Sequence, residues 1–341
     1  MFGVIRKALF QLPAEKAHEL ALEGLAKSHA LGAAKRMYPR VDAPLRVMGL
    51  EFANGAGLAA GMDKNGDYID ALGDLGFGFI EVGTVTPRPQ PGNPKPRIFR
   101  LEKAGAMINR LGFNNKGVDH LVGQVTKRTF DGVLGINIGK NFDTPNEKAV
   151  DDYLACFNAV YPHADYITVN ISSPNTRGLR DLQGEEALNQ LLRTLANRRR
   201  DLAGDHGRRV PIAVKVAPDL DSEAVTAIAA AVSRHQMDAV IATNTTISRD
   251  GVQGLKHAEE TGGLSGRPLL ESSTAILAAL RDALPRDIAL IGVGGIASGR
   301  DAAMKIRAGA DLVQFYTGFV YRGPTLVAEA ARGVKAARGN A

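Results

Sequence analysis

The sequence predicts an α/β protein, a (β/α)8 TIM barrel with an N-terminal helical extension, on three observations. From residue 55 onward, short apolar runs recur eight times, each followed by polar or glycine-rich residues and then a helical pattern. The runs are continuously apolar rather than alternating, as expected of parallel strands buried on both faces. No linker or low-complexity tract divides them, so one closed barrel fits better than an open doubly wound sheet.

The first forty residues differ from the rest, with seven Lys/Arg against three Glu. Their apolar residues recur at helical spacing: Phe2, Ile5, Leu9 and Leu12, then His18, Leu22 and Leu25. Pro13 is placed to open a second helix. Two short basic amphipathic helices are expected, either a cap on the domain or a surface that also touches lipid. Residues 1–45 are therefore set apart from a catalytic domain at 46–341. The strands are expected at 58–60, 79–82, 134–138, 166–170, 212–216, 239–243, 290–293 and 312–315. Helical patterns follow, clearest at 188–200, 222–234 and 269–280. Residues 84–112 form a long insertion stiffened by Pro87, Pro89, Pro91, Pro94 and Pro96, and such loops usually cover an active site.

Composition narrows the class of function. The 341 residues are 45% hydrophobic and include 38 glycines, a globular composition with many tight turns. The lone cysteine, Cys156, permits no internal disulfide and falls in the helical stretch 151–160, where it reads as a packing residue. Seven scattered histidines have no paired ligand spacing, so no zinc or other metal site is expected. The longest apolar runs, such as 227–232, are too short to span a bilayer, and Pro13, Glu15 and Lys16 interrupt any secretory signal. A formal charge of +6 admits nucleic acid, anionic lipid or an acidic substrate without choosing among them.

In a barrel, chemistry sits at the C-terminal ends of the strands. Those positions carry Ala60-Gly61-Met62-Asp63-Lys64, Gly83-Thr84, Asn137, Asn170-Ile171-Ser172-Ser173-Pro174-Asn175-Thr176, Lys215, Thr243-Asn244-Thr245, Gly294-Gly295 and Tyr316-Thr317-Gly318. The loop after strand two adds Asn109-Arg110-Leu111-Gly112-Phe113-Asn114-Asn115. A ring of asparagines with almost no carboxylates suits a neutral heterocycle with amide-like edges, and two lysines supply fixed positive charge for an anion. Glycines after strands seven and eight stand where barrels bind a phosphate through backbone N–H groups. Residues 292–297 also fit a loose dinucleotide pattern, but in the seventh unit rather than the first and without the acidic residue that should follow.

Taken together, these motifs resemble the dihydroorotate dehydrogenases, in their class 2, quinone-using branch. The resemblance runs in order from about residue 46 to 322 and includes Gly262-Gly263-Leu264-Ser265-Gly266. It implies oxidation of dihydroorotate to orotate in pyrimidine synthesis, with FMN as first acceptor. It implies a flavin site of Ala60, Gly61, Met62, Asp63, Lys64, Thr84, Asn137, Asn170, Lys215, Thr243, Gly266, Gly295, Tyr316 and Thr317. The substrate site it implies is Lys64, Asn109, Arg110, Leu111, Gly112, Phe113, Asn170, Asn175, Asn244 and Thr245. Ser173 takes the catalytic-base position, with Thr176 as a plausible start of the proton relay. Class 1 relatives place a cysteine at that position and lack the basic N-terminal segment. For class 2 the resemblance implies that this segment admits a membrane quinone past Phe2, Ile5, Leu9, Leu12 and Leu22. It further implies a monomer held peripherally on the cytoplasmic side of a bacterial inner membrane, in contact with anionic lipid.

Two other enzyme readings fit less well. A tRNA dihydrouridine synthase would use the fold and the positive charge, yet needs a reactive cysteine that no strand end supplies, so no nucleic-acid partner is expected. A Schiff-base aldolase using Lys215 leaves the asparagine ring and the Ser-Ser-Pro-Asn loop without purpose.

Overall fold

The computed structural model describes residues 2–339. It begins with helices α1 (Phe2–Phe10), α2 (Ala14–Ala30) and α3 (Ala33–Met37). Pro13 precedes α2 as expected. The third helix was not: Gly32 adopts φ +64°, a left-handed turn that ends one helix and starts another. These helices bury little of themselves, only Ala17 and Leu22 on α2 and Ala34 on α3, so their fixed place depends on the surface beneath them.

Strands β1 (Leu45–Val47) and β2 (Leu50–Phe52) form an antiparallel ribbon. Then come β3 (Ala56–Leu58), β4 (Phe79–Val85), β5 (Ile98–Leu101), β6 (Ala106–Asn109), β7 (Val133–Ile138), β8 (Tyr166–Asn170) and β9 (Ile212–Val216). The chain continues through β10 (Ala239–Ala242), β11 (Gly263–Gly266), β12 (Ala289–Val293) and β13 (Leu312–Phe315). Strands β3, β4, β7, β8, β9, β10, β12 and β13 close into one parallel barrel. Around it lie α4 (Ile69–Gly73), α5 (Val118–Val125), α6 (Ala149–Val160), α7 (Glu185–His206), α8 (Ser222–Arg234), α9 (Leu270–Ala283), α10 (Gly299–Arg307), α11 (Thr317–Arg322) and α12 (Thr325–Gly339). Cys156 is buried in α6.

The barrel strands are buried throughout, in keeping with their continuous apolar sequences. Inside, aromatic rings are accommodated by glycine. A Cβ on Gly57 would come within 2.3 Å of the Phe79 ring, and one on Gly135 within 2.2 Å of Tyr166. Phe52 of the ribbon packs edge-on against Phe79 and joins the buried cluster of inward residues. The interior is thus a filled core.

Register aligns the polar strand ends. Asn170 pairs with Lys215 across β8 and β9, and Gly83 with Asn137 across β4 and β7. The β4–β7 register shifts between Gly83 and Val85, a bulge that carries Thr84.

Two expectations change. The first barrel strand lies at Ala56–Leu58 rather than 58–60, since Gly57 is the residue that passes the Phe79 ring and Ala60 lies beyond the ladder. The 84–112 insertion is not only loop. Its β5 and β6 pair antiparallel, and β6 pairs with β11, a strand some 150 residues later in the chain, to make a three-stranded sheet. A partner so distant leaves no local trace in the sequence. Arg97, at the foot of this sheet, is buried.

The Gly57–Phe79 contact gives a stability prediction. Gly57→Val overpacks the barrel and lowers unfolding free energy by about 1–3 kcal/mol or more, seen as a lower urea midpoint at unchanged slope; an unshifted midpoint would contradict the close approach.

Candidate active site

One cavity opens at the C-terminal ends of the barrel strands. It gathers residues from all across the sequence: Ala60, Gly61, Lys64, Thr84, Asn109, Leu111, Gly112, Phe113, Asn170, Ser173, Asn175, Lys215, Thr243, Asn244, Thr245, Gly266, Gly295, Tyr316 and Thr317. Four residues singled out in the sequence lie elsewhere. Met62 turns to a neighbouring apolar cavity. The Asp63 carboxylate accepts from the backbone N–H groups of Asn65, Asp67 and Tyr68, which organises the loop carrying Lys64. Asn137 lies beneath the cavity floor, and Arg110 faces outward, paired with Glu260 at 2.7 Å and stacked over Phe99.

The floor is a hydrogen-bonded chain. Buried Glu81 accepts from Asn137 Nδ2 at 2.8 Å, Tyr166 OH at 2.8 Å, Thr168 Oγ1 at 3.1 Å and Gln314 Nε2 at 2.9 Å. Asn137 in turn accepts from Thr84 Oγ1 at 2.5 Å, and Thr84 accepts from Asn170 Nδ2 at 2.9 Å. Asn244 Nδ2 donates to Ser172 Oγ at 3.0 Å and to Asn170 Oδ1 at 3.4 Å. Asn137, Asn170 and Asn244 are each engaged at both the amide nitrogen and the oxygen, so their orientations are fixed.

Two ammonium groups face this floor. Lys64 Nζ donates to Gly61 O at 2.9 Å, and burial in the cavity wall, with Arg97 adding repulsion, pushes its pKa down to about 8. Lys215 is also held below its ordinary value by burial, opposed by the Glu81 charge. Neither has a salt-bridge partner among the described residues, so an anionic ligand would complete their pairing.

Ser173 Oγ accepts from the Asn175 N–H at 3.2 Å, and Asn175 Nδ2 donates to Asn109 Oδ1 at 3.2 Å across the cavity. Among the described residues, the buried oxygens Thr245 Oγ1 and Thr176 Oγ1 have no hydrogen-bond partner. A buried polar atom left free costs stability unless a ligand or water satisfies it. At the glycine end, Gly294 and Gly295 adopt φ +109° and +79°, and a Cβ on Gly295 would meet Leu270 Cα at 2.3 Å. Only glycine lets this backbone lie so close to its neighbours.

Several residues of the site were not singled out by sequence. Arg180 clamps the Ser173 loop, donating to Ser172 O at 3.1 Å, Thr245 O at 2.9 Å and Asp219 Oδ2 at 2.8 Å. Glu81 was passed over inside an apolar strand run, although a carboxylate in such a run was itself a signal. Ile98 and Met107 belong to the long-range sheet and had no local mark. With Tyr316 they line both this cavity and the apolar one beneath α1 and α2, so the two adjoin.

Fold and site together define a (β/α)8-barrel enzyme whose strand-end cavity gathers two lysines and several asparagines. The chain belongs to the dihydroorotate dehydrogenase family, an oxidoreductase family that matches it over residues 43–337. It is 57% identical over 340 residues to the dihydroorotate dehydrogenase (quinone) of Azotobacter vinelandii, covering 99% of this chain and 98% of that one. It is 58% identical over 335 residues to the enzyme of the same name from Dechloromonas aromatica, covering 97% and 96%. The crystal structure of an Eimeria tenella dihydroorotate dehydrogenase in complex with ferulenol superposes with a TM-score of 0.83 at 39% identity, covering 96% of this chain and 90% of that one.

The depressed Lys64 pKa sets a pH limit. The ammonium that attracts a carboxylate is present below about pH 8 and lost above it. Orotate affinity measured by calorimetry therefore falls as pH rises from 7 to 9.5; a flat profile would exclude Lys64 as the titrating anchor.

Proposed function

We propose that this protein oxidises (S)-dihydroorotate to orotate on a bound FMN, with Ser173 as the base, and passes the electrons to a membrane quinone. The observation that carries the reading is the meeting of Lys64, Ser173, Lys215 and Asn244 on one cavity at the strand ends. The cavity's donor set fits FMN. Glycines 266, 294 and 295 line the cavity with backbone that could offer N–H groups to a phosphate, and Lys215 offers positive charge with only Glu81 opposing its burial. Bound there, the flavin supplies a two-electron acceptor for hydride from C6 of the substrate.

The chain's own residues do the rest. Lys64 pairs with the substrate carboxylate, while Asn109, Asn170, Asn175 and Asn244 present amide donors and acceptors to the ring, which aligns it before reaction. Ser173 Oγ takes the proton from C5. A serine hydroxyl is a weak base in water, but it can pass its own proton onward as it accepts another. Thr176, buried three residues away with its hydroxyl unpartnered, is suited to start that relay.

Residues 1–45 are read as the quinone-access segment. Of the seven large apolar side chains that stand exposed among the described residues, Val4, Ile5, Leu20, Leu31 and Met37 fall in the first 37, a clustering that suits insertion into the interface of a bilayer. Beneath them is an apolar cavity of about 470 Å³, lined by Phe2, Ile5, Leu9, Leu22 and Phe319 among others but not by Leu12, that leads to the wall shared with the active site. No helix of the described residues is long and apolar enough to cross a membrane. On this reading the protein attaches peripherally at the cytoplasmic face of a bacterial inner membrane, and the exposed apolar residues together with Arg6, Lys7 and Lys27 support contact with anionic lipid.

Purified protein is expected to carry a flavin absorbance band that dihydroorotate bleaches without oxygen, and Ser173→Ala to slow the bleaching by about 10²–10⁴-fold with flavin retained. Protein that binds no flavin would overturn the function; a near-normal rate in the variant would overturn the role of Ser173. Ala21→Trp, which fills the apolar cavity, should block reduction of a long-tailed quinone while bleaching by dihydroorotate continues. Unimpaired quinone reduction in that variant would exclude this entry route.

A further inference from the structure

We propose that Glu15, on the N-terminal helix α2, is a positioning residue for the substrate end of the cavity, acting through Arg97 on the turn at residues 91–93. The inference rests on the proposed function, since that reading names the ligand whose binding Glu15 would govern.

Glu15 grips Arg97 with both carboxylate oxygens: Arg97 Nη2 donates to Oε1 at 2.6 Å and Nε to Oε2 at 3.2 Å. The guanidinium is only 6% exposed, and its Nη1 donates to Pro91 O at 2.6 Å and Asn93 O at 2.9 Å. The turn so held carries Asn93, whose Nδ2 donates to Arg110 O at 2.9 Å and to Asn175 O at 3.3 Å. The Arg110 N–H returns to Arg97 O at 2.9 Å. Both walls of the cavity mouth, the Asn109 side and the Asn175 side, are therefore tied to one arginine, and that arginine to a carboxylate from the N-terminal segment.

The pair is held firmly because each partner depends on the other. Arg97 has carbonyls for its remaining donors, and carbonyls satisfy hydrogen bonds without cancelling a charge. With Glu15 removed, the buried cation would be left uncompensated, and the turn must open to solvate it. Lys95 also approaches Glu15 at 3.4 Å, but it is exposed, and as a second cation it adds to the positive charge that Glu15 offsets.

A second consequence separates positioning from mere support. Arg97 repels the Lys64 ammonium, whereas Glu15 and Asp63 favour it. His18, one turn along α2, has its pKa pushed down to about 4 by burial and by Lys64, so it is neutral near pH 7 and adds no charge there. Deleting the Glu15 charge leaves Arg97 opposed only by Asp63, so Lys64 loses its proton at lower pH. A residue that only pinned α2 would not move that midpoint.

The test uses the full-length, flavin-loaded protein with Glu15→Ala and Glu15→Gln, and with Glu19→Gln as a control at an exposed site on the same helix. Orotate Kd is read from the flavin difference spectrum between pH 6.5 and 9.5, with kcat and KM for dihydroorotate alongside. Glu15→Ala should raise Kd and KM about tenfold, because only part of the cost of the lost partner reaches the ligand, with kcat within about twofold. Its affinity should fall off at lower pH than in the wild type. Glu15→Gln keeps an oxygen for Arg97 but not the charge, so it should show a smaller rise, about threefold, with the same downward pH shift. Glu19→Gln should match the wild type. Wild-type Kd and pH midpoint in Glu15→Ala would overturn the proposal; if that variant does not fold, the same result in Glu15→Gln overturns it. A wild-type protein without flavin, or without any response to orotate, would instead refute the proposed function.

Discussion

One buried carboxylate organises the inside of this barrel. Glu81 is wholly removed from water, a condition that is costly unless its oxygens are filled by donors. They are filled by Asn137, Tyr166, Thr168 and Gln314, from three other strands. Meeting that demand orients Asn137, then Thr84, then Asn170, so the polar floor of the cavity is preorganised by satisfaction of a charge lying below it. The same charge favours the ammonium of Lys215 on β9. The polar cavity floor thus grows from an internal anion, with Lys215 above it.

The outer wall has a different origin. The sheet of β5, β6 and β11 and the turn at residues 91–93 close the cavity from above, and helices α1 and α2 lean on that sheet. Arg100 illustrates the dependence: it donates to the carbonyls of Leu9 and Leu12 and lies over the Phe10 ring at 4.6 Å. With Glu15 on Arg97, the N-terminal helices are fastened to the catalytic cap by two arginines of one short segment. The helices bury so few of their own residues that these polar anchors count heavily in fixing them.

Such an arrangement makes substrate pocket and apolar cavity neighbours with a shared wall of Ile98, Met107 and Tyr316. In the proposed reaction the two substrates never need to meet, because the flavin would stand between them. Polar and apolar chemistry can then be kept in separate compartments of one fold.

How much of this was legible in advance follows from the range of each interaction. Continuous apolar runs such as Ile212–Val216 disclosed their strand, because burial on both faces writes itself into consecutive residues. Strand-end polar residues such as Lys215 and Asn170 disclosed the site, because barrel geometry brings every such end to one face. Arg110 shows the limit: its neighbours face the cavity, yet its own side chain turns outward to Glu260, a partner 150 residues distant. The first strand was misplaced by two residues because Gly57 is defined by the ring it must pass, and that ring belongs to another strand. The amino-acid sequence by itself determined the barrel, its catalytic face and the residue types gathered there, since periodicity and strand order are local and repetitive. Only the tertiary structure decided the β6–β11 pairing, the Glu81 hub and the Glu15–Arg97 anchor, since each joins groups that are distant in the chain and are selected by burial and charge.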